Sequence, residues 1–114
     1  MTPRRPGTGG LPAAAEEERS REPRYAIAAV AARSGVQIQT VRRYEAYGLL
    51  ESTTIETGYQ LYSEADIDRI LRARRLVEDL GVNLAGAAAI LHLRQQLIAA
   101  QRELRLLRDA RDRG

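Results

Sequence analysis

Cysteine, tryptophan and phenylalanine are absent from the 114-residue chain, and His92 is its only histidine. Without cysteine there are no disulfides, thiolate metal sites, iron–sulfur clusters or thiol redox switches. One histidine does not provide the several nitrogen or sulfur ligands that a zinc or iron site requires. Catalysis by a nucleophile and a base has almost no side chains to draw on. We therefore expect a protein that is not an enzyme, with no catalytic residue, metal or cofactor.

Long apolar segments are missing as well. The sequence has no run of about 18 apolar residues, the length that predicts a membrane-spanning helix. Arg4 and Arg5 are followed by only Leu11 and three alanines before a run of glutamates, so the apolar region of a secretory signal is lacking. We expect a cytoplasmic protein without a membrane partner.

Lysine is also absent, so all 18 basic residues are arginine, and the formal net charge is +3. A positive charge suggests a nucleic-acid partner. The excess lies in residues 93–114, however, because residues 25–92 hold seven arginines against eight acidic residues. Net charge alone is therefore weak support for DNA binding. Arginine alone suits the recognition of phosphates and bases, but a coding bias explains the composition more simply.

The character of the sequence changes near residue 25. Residues 1–24 combine prolines, glycines and charge clusters without a hydrophobic period, which predicts a disordered leader. Its Arg4 and Arg5 either touch DNA or remain solvated. From Tyr25 onward, apolar residues recur at helical spacing, so an ordered domain is expected to begin there.

Two short helices with a tight turn between them are predicted first. Apolar spacing ends at Ser34-Gly35, where glycine suits a left-handed helix cap. A second helix is expected to begin near Gln37 and to end at Tyr47-Gly48. This arrangement is a helix-turn-helix, although short helical hairpins are common in other α-proteins too.

A small hairpin and a capped helix are predicted next. Residues 53–55 and 59–62 favour strands on either side of the turn-forming Glu56-Thr57-Gly58. Ser63 and Asp66 have the spacing of a capping box, which begins a helix that continues to Gly81. Residues 25–82 thus form a predicted winged helix-turn-helix domain of mainly α class.

Residues 83–112 are predicted to form one long helix, with Asn83 as its N-cap. Apolar residues at alternating intervals of three and four form a heptad seam. The seam spans roughly 27 Å at about 1.5 Å per residue, and no upstream element is long enough to cover it. A second copy of the chain is the economical cover, and packing onto the chain's own wing domain is the alternative. The seam residues are Ile90, Leu93, Leu97, Ala100, Leu104 and Leu107.

The motifs resemble a known family in their order and separations. From about residue 25 to residue 93 the chain is similar to the DNA-binding domain of the MerR family. Gln39-Thr40-Val41-Arg42 and Gly81-Val82-Asn83-Leu84-Ala85-Gly86 resemble its HspR subgroup, and the glutamine-synthetase regulators are similarly short. The motifs are Tyr25-Ala26-Ile27, Ser34-Gly35-Val36, Thr40-Val41-Arg42-Arg43-Tyr44-Glu45, Tyr47-Gly48-Leu49-Leu50, Thr57-Gly58-Tyr59, Leu61-Tyr62-Ser63 and Asp66-Ile67.

This resemblance implies a homodimer, paired through an antiparallel coiled coil, that binds an inverted repeat in double-stranded DNA. The HspR subgroup implies repression of heat-shock and chaperone genes, in some members with a DnaK-type chaperone as co-repressor. Activators in the wider family usually use an effector domain, so repression is expected here. A ligand-sensing activator would need an apolar pocket, and no phenylalanine or tryptophan is available to line one.

Two other functions stay open. The chain could be a short MerR-type regulator of another regulon, such as nitrogen metabolism. It could also be a coiled-coil adaptor that never binds DNA, which would agree with the near-neutral domain. Salt dependence distinguishes the adaptor from a DNA-binding protein. The affinity of a DNA-binding protein for duplex falls steeply as salt rises, through counterion release, whereas an adaptor would show no operator binding.

The second helix of a helix-turn-helix enters the major groove, so its exposed positions are the expected reading residues. Gln39 is suited to adenine and Arg43 to guanine, unless the glutamines simply lie on a solvated face. Arg42 and the Tyr44 hydroxyl are expected on phosphates, whereas Ile38 and Val41 are expected in the core. The full set expected to contact DNA is Gln37, Gln39, Thr40, Arg42, Arg43, Tyr44 and the wing residues Thr57, Gly58, Tyr59 and Gln60.

Gln60 is the wing position that departs from the family. Many relatives have arginine there, so the resemblance implies one charge-assisted contact fewer in this wing. Tyr62 is expected to hold the hairpin to the domain.

Overall fold

The computed structural model describes residues 13–114, so Arg4 and Arg5 lie outside the described residues. The chain is mainly helical, with a helix-turn-helix, a small hairpin and a long C-terminal helix. This confirms the predicted fold class. The elements are α1 (Ala13–Ser20), α2 (Ile27–Ser34), α3 (Ile38–Ala46), β1 (Thr53–Thr54), β2 (Gln60–Leu61), α4 (Glu64–Leu80) and α5 (Leu84–Arg113).

The helix boundaries follow local capping chemistry. Gly35 ends α2 with a left-handed φ of 69°, which glycine adopts without steric cost. Ser63 and Asp66 form a reciprocal capping box at the start of α4. The Asn83 side chain accepts a hydrogen bond from the backbone N–H of Gly86 and so starts α5. These signals are short-range, which is why the sequence predicts them.

The hairpin is short and is anchored at its base. Strands β1 and β2 are antiparallel, with Thr53 opposite Leu61. Beside them Tyr62 exchanges two backbone hydrogen bonds with Tyr25, at 2.7 and 2.9 Å. The wing is therefore attached to the segment that leads into α2.

The core lies where α2, α3, α4 and the first turns of α5 meet. Its members come from every one of these helices and from the segments around the hairpin, so the core holds residues 25–91 as one unit. The buried hydrophobic residues that form this cluster are Val30, Ala31, Val41, Tyr44, Leu49, Leu50, Tyr62, Ile67, Ile70, Ala73, Ala87 and Leu91.

The prediction of a disordered leader is wrong for the part of it that the structure describes. Helix α1 occupies residues 13–20, where alanines and glutamates have good helix propensity. Both terminal nitrogens of Arg102 on α5 donate to the Glu17 carboxylate, one of them at 2.9 Å. This pair joins positions 85 apart in the sequence, so no local pattern could indicate it.

No helix within residues 13–114 is both long and apolar enough to cross a membrane.

Candidate nucleic-acid interface

Helix α3 presents two different faces. Val41 and Tyr44 are buried against the core, while Gln39, Arg42 and Arg43 are exposed on the other side. The helix therefore carries polar and cationic side chains outward, as a helix that enters the major groove must.

The turn before α3 is held by the helix that follows the wing. The Arg74 guanidinium on α4 donates to the Ser34 carbonyl at 2.8 Å, where α2 ends. A Cβ at position 35 would lie 2.7 Å from the same Arg74 nitrogen, in addition to the strain of the positive φ. The positive φ therefore favours glycine at this turn, and any larger residue would also displace the end of the Arg74 side chain.

Three hydrogen bonds fix the other end of α3. Glu45 accepts from the Ser52 hydroxyl at 2.5 Å and from the Tyr62 hydroxyl at 2.9 Å, which ties the base of the wing to the helix. Burial, together with the bond to Glu45, raises the pKa of Tyr62 to about 12. The carbonyl of Tyr47 can only accept, so His92 Nε2–H on α5 donates to it at 3.1 Å.

Most of the predicted reading residues are accessible. Thr40 is half-buried, and Tyr59 at the wing is 72% exposed. The remaining accessible positions are Gln37, Gln39, Arg42, Arg43, Thr57, Gly58 and Gln60.

Two assignments on α3 are wrong. Tyr44 is 2% exposed and its ring belongs to the core, where burial raises the pKa of its phenol. It is therefore a core residue and not a phosphate ligand. Ile38 is 40% exposed and not a core residue. Because Ile38 stands in the first turn, about a quarter turn from the line through Val41 and Tyr44, it lies past the edge of the buried face.

In the described part of the chain, most arginines of α4 have acidic partners, whereas those of α3 do not. Arg72 pairs with Asp68 at 2.8 Å and Arg74 with Glu78 at 3.0 Å, as expected for helix ion pairs. Among the residues that the structure describes, neither Arg42 nor Arg43 forms an ion pair. The uncompensated positive charge of the helix-turn-helix is thus on the outward face of α3, which the near-neutral total charge concealed.

A cluster that sequence reasoning missed holds α2 against α4. The Arg33 guanidinium donates to Glu64 at 2.5 and 3.1 Å, and the Tyr25 hydroxyl donates to the same carboxylate at 2.5 Å. The guanidinium also lies 5.0 Å from the centre of the Tyr25 ring. The bonds from Arg33 and then Tyr25 lower the pKa of Glu64. This cluster positions the two helices that hold α3 and is not itself on the outward face.

Helix α5 has a packed stripe and a free stripe. Ala87, Ala88 and Leu91 are buried against the domain. The heptad seam lies on exposed surface instead, so packing of the seam onto the chain's own wing domain, the alternative considered from the sequence, is wrong. The exposed seam residues are Ile90, Leu93, Leu97, Ala100, Leu104 and Leu107.

A recognition helix with outward glutamine and arginine, a hairpin wing beside it and a long helix behind it define a winged helix-turn-helix regulator. Residues 25–93 match the family described as "MerR HTH family regulatory protein", and the chain belongs to that family. Residues 25–93 accordingly form a MerR-type helix-turn-helix domain, and the family and the fold are those of transcription regulators.

Two curated relatives are similar in sequence to parts of this chain. The putative heat shock protein HspR of Streptomyces coelicolor is 34% identical over 79 residues, covering 69% of this chain and 52% of the relative. The mercuric resistance operon regulatory protein of Bacillus cereus is 36% identical over 62 residues, covering 54% and 46%. The chain therefore spans about half the length of these relatives.

One solved structure supports the fold. The transcription regulator PbrR691 from Ralstonia metallidurans CH34, crystallised in complex with lead(II), aligns with a TM-score of 0.53 at 25% identity. The alignment covers 74% of this chain and 79% of that one.

Proposed function

We propose that this protein is a homodimeric repressor of heat-shock and chaperone genes that binds an inverted repeat. The observation that carries the dimer is the exposed apolar seam of α5, which lies apart from the stripe that packs on the domain. The similarity to an HspR protein supports the choice of regulon.

The sizes of the seam residues favour antiparallel pairing of two α5 helices. If residue numbers run in opposite directions, Leu97 meets Ala100 of the second copy, and the reverse contact repeats the match. A large side chain then faces a small one at the centre of the seam. In a parallel pair Ala100 would face its own copy and leave a void, which close-packed interfaces disfavour.

Two-fold pairing of the chains leads to two-fold symmetry of the site. Each copy presents one α3, so the operator is expected to contain two inverted half-sites one helical turn, about 34–36 Å, or a multiple of it apart. Coupling two weak contacts in one molecule raises the effective concentration of the second. Occupancy of a promoter by such a dimer would block transcription, and a DnaK-type chaperone is the additional partner we propose as co-repressor.

Footprinting on the promoter upstream of the protein's own gene tests the proposal. We expect two protected half-sites and an affinity that falls linearly with salt on logarithmic axes. Arg43→Ala should weaken binding by about 1–3 kcal/mol, because a bidentate contact to guanine is lost. Arg105→Ala removes the same charge from the distal part of α5 and is expected to leave the footprint intact.

The other outcomes are informative in different ways. Specific binding at a promoter unrelated to stress would contradict the assignment to heat-shock genes. It would still support the proposal that the protein is a DNA-binding regulator. An absence of binding to any duplex, together with a stable dimer, would favour the adaptor. If adding the chaperone leaves the affinity for the operator unchanged, the proposal that it acts as a co-repressor is contradicted.

A further inference from the structure

Ile38 is an apolar side chain in a place where apolar side chains are uncommon. It is the first residue of α3 and is 40% exposed, whereas Val41 one turn later is fully buried. At 3.6 residues per turn it lies on the same edge of the helix as Arg42, four positions on. The first turn of α3 therefore offers one apolar group beside its polar reading residues.

A single exposed isoleucine on a protein surface needs no explanation by itself. The position of this one is what matters, since the N-terminal residues of a recognition helix are those that contact base edges in the major groove. The major groove presents hydrogen-bonding groups at every base and one apolar group, the C5-methyl of thymine. An isoleucine side chain has no hydrogen-bonding atom, so the thymine methyl is the base feature that it can recognise.

We propose that Ile38 is a specificity-determining residue that packs against the C5-methyl group of a thymine in each operator half-site. This inference rests on the proposed operator binding and adds an apolar element to the reading by Gln39 and Arg43. It also explains why the side chain is left uncovered by the core. Contact with the methyl group would bury apolar surface on both partners.

The test measures the contribution of the thymine methyl group to affinity while every hydrogen-bonding group of the bases is kept. A high-affinity duplex is first selected from a random library with the full chain. Each thymine is then replaced by deoxyuracil, which lacks only the methyl group. We expect one position in each half-site to weaken binding about fourfold, the change that follows from losing one methyl-sized apolar contact.

A double-mutant cycle assigns that loss to Ile38. The Ile38→Ala protein is expected to bind the thymine duplex about fourfold more weakly per half-site than the wild type does. The same variant is expected to bind the uracil duplex as tightly as it binds the thymine duplex. Ile38→Val, which keeps a branched apolar side chain, should retain the methyl dependence. Ile55→Ala is the matched control: this isoleucine is 38% exposed but precedes the wing turn, so the methyl dependence should persist.

Three results would overturn the inference. The first is a wild-type protein that tolerates uracil at all positions. The second is a uracil penalty that is equally large in the Ile38→Ala protein. Both leave the proposed function intact, because a selected duplex has been obtained. Failure to select any duplex would remove the proposed function and this inference with it.

Discussion

The two halves of α5 differ in what covers them. In the first half, Ala87, Ala88 and Leu91 are buried in the core of the DNA-binding domain. In the second half, every side chain from residue 101 to residue 113 is exposed. An isolated helix of this kind is marginal in water. The core of the domain thus lies within one chain, whereas the distal half of α5 has no core of its own, and in the proposed dimer the second copy would cover it.

The largest effect is expected along the exposed seam of α5, where the proposed dimer would join its two copies. Leu93→Asp should weaken dimerisation roughly thousandfold, because each of two carboxylates would be buried without a partner at a cost of about 2 kcal/mol or more. Sedimentation across a concentration series measures the loss.

Leu106→Asp is the matched control for this change. Leu106 is 67% exposed and Leu93 is 64% exposed, and both lie within α5, but Leu106 is off the seam. It should leave the dimer intact. Equal dissociation in both variants would mean that general helix destabilisation, and not the seam, accounts for the result.

The next largest effect is expected in the core of the DNA-binding domain. Ile70→Ala removes a fully buried side chain of α4 and should lower the free energy of unfolding by about 3 kcal/mol, within the usual ~2–5 for such cavities. Denaturant unfolding of the domain measures it. Leu106→Ala should change that free energy by less than about 0.5 kcal/mol. A large effect of Leu106 would show that the distal helix contributes to the stability of the domain.

A smaller effect is expected at the junction of the wing and α3. Tyr62→Phe loses the bond to Glu45 and should cost about 1 kcal/mol at neutral pH, while Ser52 still satisfies the carboxylate. Because the folded pKa of Tyr62 is raised from 10 to about 12, its proton stabilises the folded state below pH 10. That stability is lost as the pH rises from 10 to 12. Unfolding curves across this range should fall less steeply for Tyr62→Phe than for the wild type.

The smallest effect is expected at α1. Glu17→Gln weakens a partly exposed ion pair with Arg102, so global stability should change by less than about 1 kcal/mol. Hydrogen exchange within residues 15–20 should become faster, since α1 loses its contact with α5. Exchange that stays unchanged would mean that other contacts hold α1 in place. Glu16→Gln, on the exposed side of the same helix, is the control.

The helices that begin or end with their own capping residues are predictable from the sequence. Gly35, the pair of Ser63 and Asp66, and Asn83 act within four residues, so a linear pattern contains them. The heptad seam was visible for a similar reason, because helical spacing alone places its members on one stripe.

The burial of individual side chains at the edge of a helix and the long-range ion pairs depend on how the helices are oriented against one another. Ile38 and Tyr44 share a spacing of three with Val41, yet one lies past the edge of the core and the other inside it. The Glu17–Arg102 and Arg33–Glu64 pairs join distant segments of the chain. Such contacts are set by tertiary packing, which neither spacing nor composition specifies.

The bond from His92 to the Tyr47 carbonyl has a consequence for how operators can change. It connects the end of the recognition helix directly to α5, between seam positions 90 and 93. In the proposed dimer the separation of the two recognition helices is therefore set by this short junction, and base preference is set elsewhere, on α3. Evolution can then alter the distance between half-sites and the bases within them independently of each other.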